Sequence, residues 1–203
     1  MKKKSGAVTT FQATFAECLQ ATLPAERTKP VEVWAYDESR LGLHTIRRRR
    51  ITARGTKPVG QFQQRFCNCY LYGAIAPASG DGYFLGLPKF TADHFQVFLD
   101  EFAQARPDTY NVLLLDTSRC HPAQELRIPE NVVLLFQAPY APELNPAERV
   151  WEHLKTALAW RCFASLADLQ AEIVRLVTDY DAATLRSLTA YPYIMHAINA
   201  VCA

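Results

Sequence analysis

The 203-residue sequence lacks any apolar run near the ~20 residues that span a bilayer, which excludes a transmembrane helix. Its N-terminus, MKKKSGAVTTFQATF, has lysines but no continuous apolar core, so no secretory signal is read and a cytoplasmic protein without a membrane partner is expected. The six cysteines include no C-x-x-C pair, which argues against a zinc knuckle and a disulfide framework. They read as reduced, mostly buried thiols, with Cys67 and Cys69 on one strand face. No internal repeat, low-complexity segment or recognisable nucleophile motif is present.

What is present is a globular composition, 49% hydrophobic and 21% charged, in a length that suits one domain. The net charge of +2 conceals an asymmetry: residues 1–65 hold 13 Lys and Arg against 5 Asp and Glu, and the remainder holds 9 against 15. A basic first third suits a polyanion partner, and an acidic remainder suits metal ions.

Hydrophobic spacing predicts a helix over 5–23, then a linker, PAERTKP. Residues 1–30 read as an appendage and 31–203 as the domain proper. VEVWAYDES (31–39) reads as a buried strand stopping at acids. FCNCYLYGAIAP (66–77) and GYFLGLPKF (82–90), joined by ASGDG, complete a three-stranded antiparallel meander. Thr91 caps a helix through Ala105, and NVLLLDTS (111–118) and NVVLLFQAP (131–139) are two further strands. Helices follow over about 147–160 and, capped by Ser165, over 165–180. The order is that of an α/β protein.

Two strands end in aspartate, Asp37 and Asp116, and a third acid, Glu148, opens the helix after the proline-rich stretch APYAPELNP. In α/β sheets, ligand chemistry gathers at strand ends. Three converging carboxylates repel one another unless a cation sits among them, and Mg²⁺ favours hard oxygen ligands. Two ions ~4 Å apart could activate a water or a 3′-hydroxyl and stabilise the departing oxygen of a phosphodiester. Each acid also has a structural reading. Aspartate often ends strands and opens turns, and Asn145 as N-cap, Pro146 at N1 and Glu148 at N3 would form a capping box. Glu38, next to Asp37, falls on the opposite strand face and ranks below it as a ligand.

Taken together, WAYDESRLGL, LLLDTSRCH and PYAPELNPAERVWEHLK resemble the DDE transposases of bacterial insertion sequences allied to the mariner elements, over about residues 31–165. That family carries an aspartate ending a strand, then D-x-x-x-x-H, then P-x-S-P-E-L-N-P-x-E-x-x-W. The resemblance implies a ribonuclease-H-like fold: a mixed five-stranded sheet of three antiparallel strands and two more, flanked by helices. It implies that Asp37, Asp116 and Glu148 bind two Mg²⁺, with Mn²⁺ substituting, and that His121 and Glu38 are further candidate site contacts. Double-stranded DNA, as transposon ends and target, is the implied substrate, with strand transfer through a 3′-hydroxyl. A homodimer on DNA and a nucleoid-associated location follow from the same likeness.

Two departures stand out. The gap between Asp116 and Glu148 is a little shorter than is usual in the family, and Ala141 stands where serine is common. The 30 residues before the first strand are too few for the helix-turn-helix region of relatives, so the chain resembles a catalytic half: either one product of a split element, partnered by a separate helix-turn-helix DNA-binding polypeptide, or a truncated remnant. The basic loop TIRRRRITARGTKP follows the first aspartate, and Arg47, Arg48, Arg49, Arg50, Arg54 and Lys57 are the candidate phosphate contacts. Trp34, Trp160, Tyr70 and Tyr72 read as core. The rival readings are a catalytically inactive DNA-binding remnant and a ribonuclease-H-like nuclease of another kind.

Overall fold

The computed structural model describes residues 5–24, 28–49, 51–116, 126–139 and 141–202. The β-branched and aromatic run at Val31 opens β1 (Val31–Gly42), the central strand. It pairs antiparallel with β2 (Asn68–Ile75), which pairs antiparallel with β3 (Gly82–Leu87). The β2–β3 turn uses Gly80 at φ 75°, a left-handed position that suits glycine. On the other side, β1 pairs parallel with β4 (Tyr110–Leu115), and β4 parallel with β5 (Val132–Phe136). The sheet order is β3-β2-β1-β4-β5, the mixed sheet expected from the sequence.

Strand alternation divides the core between the two sheet faces. Trp34, Tyr36 and Tyr72 point to one face, where Phe95, Phe98 and Phe102 of α2 (Ala92–Ala105) cover them. Ala35, Leu41 and Leu71 point to the other face, under α3 (Ala147–Ala157), α4 (Leu166–Thr178) and α5 (Ala182–Thr189). Towards β4 and β5, α1 (Ser5–Thr22) and α6 (Pro192–Val201) pack on Val33, Val112 and Leu114. Thr91 caps α2, and Ser165 forms a full capping box with Asp168 on α4, as the sequence predicts. Among the described residues no helix is long and apolar enough to cross a membrane.

The structure departs from the sequence reading in four places. Strand β1 does not stop at its acids but continues to Gly42, because β2 pairs with it through that residue, so Asp37 lies within the strand. Helix α3 stops at Ala157, because Trp160 takes a left-handed φ of 63°, a conformation costly for a bulky side chain. Trp160 is half-buried rather than core: its backbone N–H donates to the Ile46 carbonyl at 2.9 Å and its indole Nε1 to the Arg48 carbonyl at 3.0 Å. It clasps the basic segment after β1 to the end of α3. The thiols are mixed rather than mostly buried. Cys69 is buried within β2, whereas Cys67 lies before the strand and is exposed, as is Cys162.

Trp151 of α3 lies across the β1–β2 pair, and Gly73 provides its seat. A Cβ at Gly73 would come within 2.5 Å of the Trp151 ring and 3.1 Å of Phe84. Gly73→Ala should therefore cost about 1–3 kcal/mol, the usual range for overpacking. A urea midpoint equal to that of the parent chain would show that the helix is not held at this contact.

Candidate active site

Register places the two aspartates level with one another. The last paired residues of β1 and β4 are Ala35 and Leu114, and Asp37 and Asp116 each stand two residues beyond them. Two residues along a strand restores the same face, so neighbouring parallel strands present both acids side by side. Past Ala35, β1 has β2 on one side and, among the described residues, no strand on the other. The candidate site occupies this open half-edge.

Asn145 ties the third acid to the same place. Its side chain, 2% exposed, donates from Nδ2 to the Tyr36 carbonyl at 2.6 Å and accepts the Ala147 N–H at Oδ1, 3.1 Å away. One amide thereby fastens the start of α3 to the residue just before Asp37. The preceding prolines bracket a single 3-10 turn, Pro142–Leu144, whose Leu144 carbonyl accepts the Tyr193 hydroxyl from α6. Pro146, not Asn145, occupies the N-cap and has no side-chain group to cap with, so the expected capping box is absent and the Asn145 amide takes the Ala147 N–H instead. Glu148 is exposed in the first turn. A carboxylate there is favoured by the helix dipole without being consumed in a cap.

Asp37 is half-buried with its carboxyl turned inward, where Oδ2 accepts the Trp151 indole N–H at 2.9 Å. Burial raises its carboxyl well above the usual range. Repulsion from Glu38, then Glu148 and more weakly Asp116, adds to the rise, and the Glu38 backbone N–H partly offsets it. The three expected acids thus share one electrostatic neighbourhood. Among the described residues no three His, Cys, Asp or Glu side chains stand close enough to close around a metal ion. The donor chemistry nevertheless fits a hard divalent cation: oxygen ligands only, crowded negative charge, and an inward carboxyl whose charge a cation would offset.

Glu38 points to the opposite face, as expected, and accepts a hydrogen bond from the buried Tyr36 hydroxyl. His121 and Arg50 lie outside the described residues. Arg47, Arg49, Arg54 and Lys57 are exposed along the basic arm, whereas Arg48 is half-buried and pairs with Glu152 of α3 at 2.8 Å. The sequence reading has Asn145 fix the entry of α3 and Trp151 bury its inner side, but it misses the partners through which they act, the Tyr36 carbonyl and the Asp37 carboxyl. The signal for the two side chains is their place in N-P-x-E-x-x-W, at fixed distances from the glutamate.

With this geometry in view, comparisons with known proteins agree. Residues 32–170 match a family described as DDE superfamily endonuclease. An uncharacterized protein, y4pE/y4sA of Sinorhizobium fredii (strain NBRC 101917 / NGR234), is 37% identical over 87 residues, 42% of this chain and 64% of that protein. Among solved structures, the Mos1 transposase paired-end complex with left transposon end superposes with a TM-score of 0.68 at 16% identity. It covers all of this chain and 64% of its own. The Mos1 mariner paired-end complex with Mn gives the same values, and the one with Mg a TM-score of 0.63 at 14% identity. At these identities the likeness is one of fold, and this chain spans about two-thirds of the length of the chains it resembles.

Two outcomes follow for the metal-free protein. The raised carboxyl of Asp37 contributes its stability fully below about pH 4 and loses it as pH rises through the raised value. Asp37→Asn removes that loss, so in EDTA at neutral pH its melting temperature should exceed the parent's by a few degrees; an unchanged or lower value would show the site is not strained. Trp151→Phe removes both the indole donor to Asp37 and the ring edge that rests on Gly73, and should lower stability by about 2–4 kcal/mol in urea titration.

Proposed function

The chain belongs to the DDE superfamily endonucleases, and from that membership we propose that it is a transposase catalytic domain that cuts DNA at element ends and joins the freed 3′-hydroxyl to target DNA. The observation that carries the proposal is the electrostatic meeting of Asp37, Asp116 and Glu148 at the open half-edge of β1. Residues 31–203 carry the chemistry, with α1 packed behind β4 and β5.

Asp37, Asp116 and Glu148 are the side chains that would hold two divalent cations, Mg²⁺ or Mn²⁺. Once bound, such ions supply an activated water or 3′-hydroxyl and stabilise the departing phosphodiester oxygen. The chain's own contribution is placement. Trp151 fixes the Asp37 carboxyl through one hydrogen bond, Asn145 fixes the entry of α3, and the sheet fixes the level of the two aspartates. Mg²⁺ tolerates little distortion of its octahedron, so a site built on rigid elements suits it. Charge is partitioned to match. The acids lie at the cleft, and Arg47, Arg49, Arg54 and Lys57 stand on the arm beside it, where they would contact duplex phosphates. Paired transposon ends require two copies, so a homodimer on DNA is part of the proposal.

The test is nicking of supercoiled plasmid in Mg²⁺ and in Mn²⁺ by the chain and by Glu148→Gln. The amide keeps the size and polarity of the glutamate but is a poor metal ligand. Metal-dependent nicking that falls at least a hundredfold in the variant is expected, in keeping with loss of one metal ligand. Nicking at parental rate by the variant would remove Glu148 from the site, and absence of nicking by both proteins would count against an active enzyme.

A further inference from the structure

At the root of the basic arm is a groove of about 340 Å³ that the active-site reading does not use. Arg40, His44, Ile46, Arg65, Phe66 and Lys155 line it, and no acidic side chain does. Its walls are held in place by the backbone. Leu43 N–H donates to the Cys67 carbonyl and Thr45 N–H to the Gln63 carbonyl, both at 3.0 Å, so the two legs of the arm continue the β1–β2 pairing. Arg65 is fixed by its bond to the Ala164 carbonyl at 2.6 Å.

Two features of the groove point to one ligand chemistry. The first is aromatic surface left in solvent: Phe66 is 72% exposed and Phe62 50%. The His44 ring stacks on Phe66 at 5.9 Å and meets Phe62 edge-on at 5.3 Å, making a short ladder of rings with an open end. The second is cation placement. Lys155 follows Glu148 by seven residues, nearly two helical turns, so it lies on the same side of α3 about 10 Å further along the axis. Arg40 is exposed three residues beyond Asp37 on β1, where strand alternation turns its side chain to the sheet face opposite that of Asp37. Helix α3 therefore runs from Glu148 towards the groove, and β1 brings Arg40 to its rim.

We propose that this groove binds single-stranded DNA leaving the cleavage site, with one base stacked on Phe66 and the adjoining phosphates on Arg40, Arg65 and Lys155. The proposal rests on the transposase reading and deepens it by naming a strand subsite. An exposed ring stacks at least cost on a base that has left its duplex, since paired bases must first be unstacked to uncover their faces. The volume suits a small-ligand unit rather than a double helix. Three cations without an acidic neighbour complement a phosphate chain, and rings interleaved with cations are the usual construction of a single-strand track.

The experiment measures fluorescence anisotropy of a labelled short oligothymidylate, and of a duplex, in EDTA, where no cleavage occurs. Proteins compared are the parent chain, Phe66→Ala and the pair Arg40→Gln/Lys155→Gln, each checked for folding by circular dichroism. Stacking contributes about 1–3 kcal/mol per base, so Phe66→Ala should bind the single strand roughly tenfold or more weakly and leave duplex affinity unchanged. The paired variant should lower the salt slope of single-strand binding by about 1–2. Parental single-strand affinity in Phe66→Ala overturns the subsite, as does equal weakening on duplex and single strand. If the parent chain binds duplex but no single strand, the groove fails while the transposase reading stands. If it binds neither, the DNA reading fails and the groove with it. Photo-crosslinking of an iododeoxyuridine-containing oligonucleotide should map to Phe66, and mapping only to the arm tip near Arg54 would place the strand elsewhere.

Discussion

Trp151 is the contact through which sheet, helix and acids are brought into one arrangement. Its ring rests on Gly73 of β2, its Nε1 donates to Asp37 on β1, and it sits three residues after Glu148 on α3. Gly73 and Asp37 are cross-strand partners, so the indole spans the paired strands at the level where the site begins. Its depth sets the height of α3 above the sheet, and that height sets where Glu148 can reach. Asn145 completes the restraint by fastening the helix start to Tyr36. Van der Waals packing and one charged hydrogen bond thus do what a flexible loop could not, since interiors pack densely enough to transmit position over several residues.

The electrostatics follow from the same crowding. Burial first, then Glu38, Glu148 and Asp116, make the charged form of the Asp37 carboxyl costlier than in water, a cost that a cation would relieve. Positive charge is present but kept to one side. Arg48 answers Glu152 of α3 rather than the inner acids, and Arg47, Arg49 and Arg54 of the arm are exposed. This division leaves a polyanion and a metal ion each with an unneutralised partner surface.

Most of the framework was legible because its signals are local. Alternation marks β1 and β2, Thr91 and Ser165 mark helix starts through their own side chains, and Asp37 and Asp116 end apolar runs. What escaped depends on contacts distant in sequence. The Trp151–Asp37 bond joins residues 114 apart and the Asn145–Tyr36 bond residues 109 apart, so no local period encodes either. Asn145 reads locally as an N-cap, and only the neighbouring strand draws its amide outward. Trp160 reads as a helical apolar residue, yet the carbonyls of Ile46 and Arg48 hold it in a left-handed turn. The two short helices α5 and α6 lack a long period, and their burial comes from α3 and α1 rather than from strong amphipathic patterns of their own.

The half-paired strand β1 has a cost separate from chemistry. Among the described residues β1 has no strand partner beyond Ala35 on the side away from β2, where Asn145 takes up the Tyr36 carbonyl, and such an edge is a template for another chain's strand. Exposed charge on Arg40 and the half-buried Glu38 guard that edge, because a second strand arriving there would have to bury them. The acidic cleft extends the guard by repelling its own image in another molecule. Neutralising substitutions at this edge would thus be felt first as self-association in the concentrated protein, before any change in its fold.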